Sequence, residues 1–170
     1  MLEQSFRIRS SKEAMVRKSV PPTLSAISIS ASVYDCTEPI CFDPKQVDQI
    51  WPHVRLLLKE ACRRTGLSAL SDIEADILAG RSLLWIAWNG REIEAAAATV
   101  LMNTENGKVC IITACGGTNM KRWLPLIGQI ENYARNEGCA RVRIYGRKGW
   151  LRALDGYRQQ HVIMDKVLLE

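Results

Sequence analysis

At 170 residues, 47% of them hydrophobic, the chain is long enough for one domain with a sizeable core. No apolar run approaches the roughly 18 to 20 residues that cross a bilayer, so a soluble, cytoplasmic protein without a membrane partner is expected. The formal charge of +5 comes from 23 basic and 18 acidic residues with no lysine- or arginine-rich block, which argues against nucleic acid as the main partner. The six cysteines (Cys36, Cys41, Cys62, Cys110, Cys115 and Cys139) form no CxxC pair, and His53 and His161 lie far apart. Reduced thiols and no metal site are expected.

Residues 1 to 36 read as a disordered extension. The first 35 positions hold eight serines, five basic and three acidic residues and the Pro21-Pro22 break, without sustained periodicity. A transit peptide and a start-site artefact are the competing readings, and Glu3 and Glu13 count against the first. Residues 37 to 170 form the ordered domain. Asp43-Pro44 opens a helix on which Val47, Ile50, Trp51, Val54, Leu57, Leu58 and Ala61 recur at helical spacing. Pro52 should kink it or mark a junction between two segments, and Gly66 should end it. Ser71, with Glu74 three residues on, caps a shorter helix that Gly80 terminates.

Three strands joined by tight turns come next. Ser82 to Trp88 leads into the Asn89-Gly90 turn, Glu92 to Met102 into the Asn106-Gly107 turn, and Lys108 to Ala114 follows as a β-branched apolar run. Gly116-Gly117 stops that run. Thr118 or Asn119 then caps one helix carrying Trp123, Leu124, Ile127, Ile130, Tyr133 and Ala134, which ends at Asn136 and Gly138. A strand Ala140 to Tyr145, a short helix around Trp150 to Leu154 and a last strand Val162 to Leu168 complete the chain. The strand, glycine turn and helix start at Cys115, Gly116, Gly117, Thr118, Asn119, Lys121 and Arg122 suit a phosphate or another anion, although two glycines are also what a plain turn needs.

The order of helix, helix, three antiparallel strands, helix, strand, helix, strand resembles the GNAT superfamily of acyl-CoA N-acyltransferases over about Pro44 to Glu170. Supporting features are Trp85-Ile86-Ala87-Trp88-Asn89-Gly90, the run Ala95 to Ala98, the helix end Glu131 to Cys139 and Gly156-Tyr157. The resemblance implies an α/β fold with an antiparallel meander followed by a splayed parallel pair, flanked by about four helices. It also implies that acetyl-CoA or another acyl-CoA lies in the V between the splayed strands. The family's Gln/Arg-x-x-Gly-x-Gly/Ala loop is not matched. Registered on Ala134 and Gly138, its glycine positions fall on Lys121 and Trp123, and its first position on Thr118. The family's tyrosine acid is also missing from Arg152-Ala153-Leu154-Asp155.

For proton transfer the candidates are Glu92 and Glu94 on the third strand, Tyr145 at a strand end and Tyr157, for which a packing role competes. Cys115 beside the glycines could be an activated thiolate, against the reading of a chance cysteine at a strand end. Arg141, Arg143, Arg147 and Lys148, with Lys121 and Arg122, could form a basic rim or a solvated face. The five tryptophans read as core.

The leading expectation is acyl transfer from acyl-CoA to a small-molecule or protein amine, in a GNAT-like domain. The alternative is a non-catalytic GNAT-fold binding or assembly protein, such as a homodimer or partner-binding component. Uncharacterised bacterial and prophage chains with a Cys-Gly-Gly turn and an Arg-Lys-Gly-Trp segment look similar. The two readings differ in what they predict. Catalysis requires an open cleft beside Gly116 to Lys121, whereas assembly has Trp123 filling it and an apolar patch exposed elsewhere.

Overall fold

The computed structural model describes residues 38–42 and 46–168, so the expectation for residues 1 to 36 and the Asp43-Pro44 helix start lie outside the described residues. Five strands form one sheet in chain order: β1 (Glu38–Phe42), β2 (Ser82–Trp88), β3 (Ile93–Thr104), β4 (Gly107–Gly117) and β5 (Arg141–Ile144). The pairs from β1 to β4 are antiparallel and β4 pairs with β5 in parallel. The sequence reading missed β1. Five residues with a proline carry little periodicity, and Pro39, which donates no ladder bond, suits an edge strand.

Helices cover both faces of the sheet. Helices α1 (Val47–Thr65) and α2 (Leu70–Leu78) bury Val47, Val54, Leu58, Ile73 and Ile77 against Leu84, Ile86, Ala96, Ala98 and Ala114. On the other face α4 (Ile127–Asn136) sets Ile127, Ile130, Tyr133 and Ala134 against Trp85, Ala97, Cys110 and Ile112. The alternation of Leu84 and Ile86 with Trp85 is the period of two that a strand covered on both sides shows. Trp85 donates from Nε1 to Thr99 Oγ1 at 2.9 Å and meets the Tyr133 ring edge-on, with centroids 5.4 Å apart. The alanines of β3 let both layers approach the middle of the sheet.

Punctuation residues act largely as expected. Gly66 (φ 67°) ends α1, Gly80 (φ 70°) follows α2, and Gly90 and Gly107 adopt positive φ in the two hairpins. Pro52 does not interrupt α1, which runs unbroken from Val47 to Thr65. Only the Asp48 carbonyl loses its intrahelical donor, and the exposed proline leaves that carbonyl open to water. Ser71 does not cap α2, whose N-cap is Ala69; Ser71 instead bonds Asp72 at 3.4 Å.

The single helix expected after β4 is three pieces. A four-residue α3 (Met120–Trp123) leads to a 3-10 turn (Leu124–Leu126) and then α4. Pro125 lacks the N–H that would continue the ladder, and this explains the break. The segment after β5 is a 3-10 turn, Lys148–Arg152. The expected last strand is not formed: residues 157–168 have no regular secondary structure, and Val162, Ile163, Met164, Val167 and Leu168 are exposed. Apolar residues make a strand only where a sheet edge pairs with them, and among the described residues β5 pairs only with β4.

Candidate functional site

The feature that distinguishes this sheet is a fork. The parallel pair spans Val109 to Ile112 on β4 and Arg141 to Ile144 on β5, and the Tyr145 N–H donation to Ile112 O at 3.0 Å is its last rung. Beyond Ile112, β4 runs five residues further, to Gly117, paired only with β3. A register shift between Ala98 and Thr99 leaves Thr113 as the extra residue on β4 at the same point. The Thr118 N–H donates to Glu94 O at 2.8 Å, which fixes the phase of the antiparallel ladder. By that alternation the backbone groups of Cys115 and Gly117 point away from β3, into the fork.

Around the fork the expected residues take particular places. Gly116 and Gly117 are there for close packing. A Cβ on Gly116 would fall on the carbonyl oxygen of Leu57 in α1, and one on Gly117 on Glu94 O and Ala95 Cβ. Asn119 sits in the left-handed region (φ 51°, ψ 50°), and neither it nor Thr118 caps α3 with its side chain. Lys121 is exposed. Arg122 donates from Nε to Glu94 Oε1 at 3.1 Å, and Asn89 Nδ2 reaches the same oxygen at 2.9 Å. Glu94, only 2% exposed, thus ties the β2–β3 hairpin and the turn after β4 together. Glu92 precedes β3 and lies exposed in the hairpin, where its N–H donates to Asn89 Oδ1. The two glutamates therefore do not share a strand face.

The aromatic residues close one wall. Trp123, 5% exposed, donates from Nε1 to Thr118 O at 2.6 Å and packs on Ala87 and Ala95, with Trp150 6.2 Å away between ring centroids. A small apolar cavity of about 40 Å³ remains between Trp123, Ala95, Ala97 and α4. Cys115 packs on the same clusters, and burial pushes its thiol up to about 12, the opposite of an activated thiolate. Tyr157 donates from its hydroxyl to Glu131 Oε1 at 2.9 Å; burial and then this carboxylate push its phenol upward. Tyr145, half-buried, stands at the crotch of the fork. Among the described residues the cysteines are free thiols, no cluster of side chains suits a metal ion, and no helix is long and apolar enough to cross a membrane.

The resemblance implied a splayed pair, but the point at which it parts was not readable from the sequence, because it depends on where β5 stops pairing. Arg122 with Glu94 was missed as a pair for a similar reason: 28 positions separate residues that meet only when β4 returns beside β3.

Neither a family model nor a curated protein matches the sequence. Solved structures do. An aminoglycoside acetyltransferase from an uncultured soil metagenomic sample, in complex with sisomicin, superposes with a TM-score of 0.60 at 9% identity, over 79% of this chain and 97% of that one. A predicted acetyltransferase with acetyl-CoA from Clostridium acetobutylicum gives 0.57 at 13% identity, over 77% and 96%. A GNAT family acetyltransferase from Staphylococcus aureus gives 0.53 at 12% identity, over 78% and 99%. With the two-sided helical cover and the parallel pairing of β4 with β5, these likenesses show that the chain has a GNAT-like fold.

Proposed function

We propose that this chain is an acyl-CoA-dependent N-acyltransferase whose acyl arm enters the fork between β4 and β5. The observation that carries this reading is the extension of β4 past its last rung with β5. It presents backbone groups of Cys115 and Gly117 to an extended, amide-bearing ligand. The residues fit that arm. They do not form a glycine cradle for a diphosphate, since Gly116 and Gly117 are filled by the protein's own backbone and Arg122 is held by Glu94. The diphosphate end then falls to the exposed cations Lys121, Arg147 and Lys148, whose segments are joined at the Trp123–Trp150 contact.

An acyl-CoA supplies a thioester. The chain's own part is to orient that carbonyl with backbone N–H donors and to manage one proton. An acceptor amine forms the C–N bond as the C–S bond breaks, and the proton lost by nitrogen is balanced by one gained on sulfur. Tyr145 at the crotch is the side chain we assign to that delivery. Glu94 and Tyr157 are engaged elsewhere, and Glu92 faces solvent. The acceptor class is an amine, in keeping with solved neighbours named as aminoglycoside acetyltransferases.

A second reading rests on Trp123. Its ring occupies the wall of the fork where the family's loop has a residue with almost no side chain, which favours a GNAT-fold protein that binds a partner without catalysis. Calorimetric titration with acetyl-CoA and with CoA separates the two. Acyl transfer requires saturable binding, weakened about tenfold by Lys121→Glu, which is roughly 1.4 kcal/mol. Tyr145→Phe should bind normally and turn over slowly in an amine screen. No heat with either ligand, in a chain shown to be folded, would overturn the acyltransferase reading and leave the second.

A further inference from the structure

We infer that the acceptor is a carboxylate-bearing amine, held through its carboxylate by Arg143 and Arg141 beside Tyr145. The inference rests on the acyl-transfer reading above and adds the charge of its second substrate. One groove carries it. A space of about 1380 Å³ is lined by Arg141, Arg143 and Tyr145 of β5 and its end and, from the end of α1, by Thr65 and Leu67.

Strand phase puts the three side chains together. Val142 and Ile144 pack into the cluster under α4, so the alternate positions 141, 143 and 145 face the other side of the sheet. Tyr145 keeps that phase, because its N–H still donates to Ile112 O at 3.0 Å. On the α4 side Cys115, Trp123 and Trp150 are packed together, so an amine reaches the thioester from the side of Tyr145. Arg143 stands two residues from Tyr145, about 6.6 Å along the strand. A guanidinium at that distance reaches a carboxylate carried by the attacking molecule.

Neither arginine has a counter-ion in the chain. Among the described residues the ion pairs engage Arg63, Arg64, Arg81, Lys108 and Arg122, and the guanidinium groups of Arg141 and Arg143 take part in none. Arg143 is half-buried, so its charge gives up part of its hydration, and a bound carboxylate would repay that loss with charge-assisted hydrogen bonds. Two carboxylates on the groove's wall are engaged: Glu131 accepts from Tyr157 and Asp155 from the Gly156 N–H, while Asp165 is exposed. A polycationic amine would instead meet Arg141, Arg143 and Arg158 as like charges. These cations also disfavour the ammonium form of a bound amine, which must shed a proton before its nitrogen attacks. The C–N bond then forms as the C–S bond breaks, the proton lost by nitrogen is balanced on sulfur, and the acceptor's carboxylate is unchanged.

Calorimetric titration of the chain saturated with CoA tests this with two anionic probes, glutamate and glutamyl-glutamate, and two cationic ones, spermidine and sisomicin. The anionic probes should bind saturably and the cationic ones should not. Arg143→Gln should weaken the anionic probes about tenfold or more at unchanged CoA affinity, and Arg143→Lys should recover part of the loss. In turnover with acetyl-CoA the same Gln variant should raise KM for the anionic acceptor and leave KM for acetyl-CoA alone, a split that a loosened fold would not produce. Tighter binding of a cationic probe, silence of both anionic ones, or an Arg143→Gln variant that binds them as the parent does would each overturn the inference. Acyl transfer would survive those results, since CoA is already bound in them. Failure of CoA itself to bind overturns the acyltransferase reading and this inference with it.

Discussion

Glu94 shows how one side chain can hold a turn in place. Its carboxylate is 2% exposed and engaged by Arg122 and Asn89, so removing the cation leaves a buried charge with fewer donors. Because Arg122 is itself 40% exposed, Arg122→Met should cost about 2 kcal/mol rather than the roughly 3 to 5 of a fully buried pair. A denaturant midpoint that falls at unchanged slope is the measurement. The thiols give a second residue-scale test. Burial pushes Cys110 and Cys115 up to about 12, so neither should alkylate with iodoacetamide at about pH 8 until denaturant is added, as mass spectrometry would read. A thiol with a raised folded-state value stabilises the fold below its unfolded value of about 8.5, and this contribution is lost as pH rises toward about 12. Thermal midpoints should therefore decline across that alkaline window, and less so in a Cys110→Ala variant than in the parent chain.

At the scale of elements, the contact between β4 and α1 and the composition of α4 give opposite outcomes for two glycines. Gly116→Ala drives a methyl into the Leu57 carbonyl, where backbone must move, at about 1 to 3 kcal/mol of destabilisation. Gly128 lies inside α4 with open space around it, so Gly128→Ala should stabilise by about 0.5 to 1 kcal/mol. Differential scanning calorimetry of the pair would check both signs at once. The sequence announced both elements without distinguishing these glycines. It showed a Gly-Gly stop and a helix repeat, but the neighbour that makes Gly116 indispensable is Leu57, from an element about 60 positions earlier.

For the whole molecule, the order of opening should follow the cover on the two faces. β2, β3 and β4 have helices on both sides, whereas β1 is an edge strand with Pro39. Hydrogen exchange should accordingly be slowest in β3 and β4, and β1 should exchange first among the strands. The α1 and α4 faces, the three-stranded meander and the Gly66, Gly80 and Gly107 breaks were legible from residue periodicity and turn chemistry alone, because those signals are local. The resemblance to the GNAT fold followed from their order.

Non-local pairing decided the rest. Tertiary structure set the end of β5 at Ile144 and hence the fork, broke the helix after β4 at Pro125, and brought Arg122 to Glu94. It also left Val162 to Leu168, an expected strand, without regular secondary structure. Sequence by itself fixes which residues seek burial and at what period. Which edge, carbonyl or charge they find depends on groups far along the chain, whose positions no local pattern encodes.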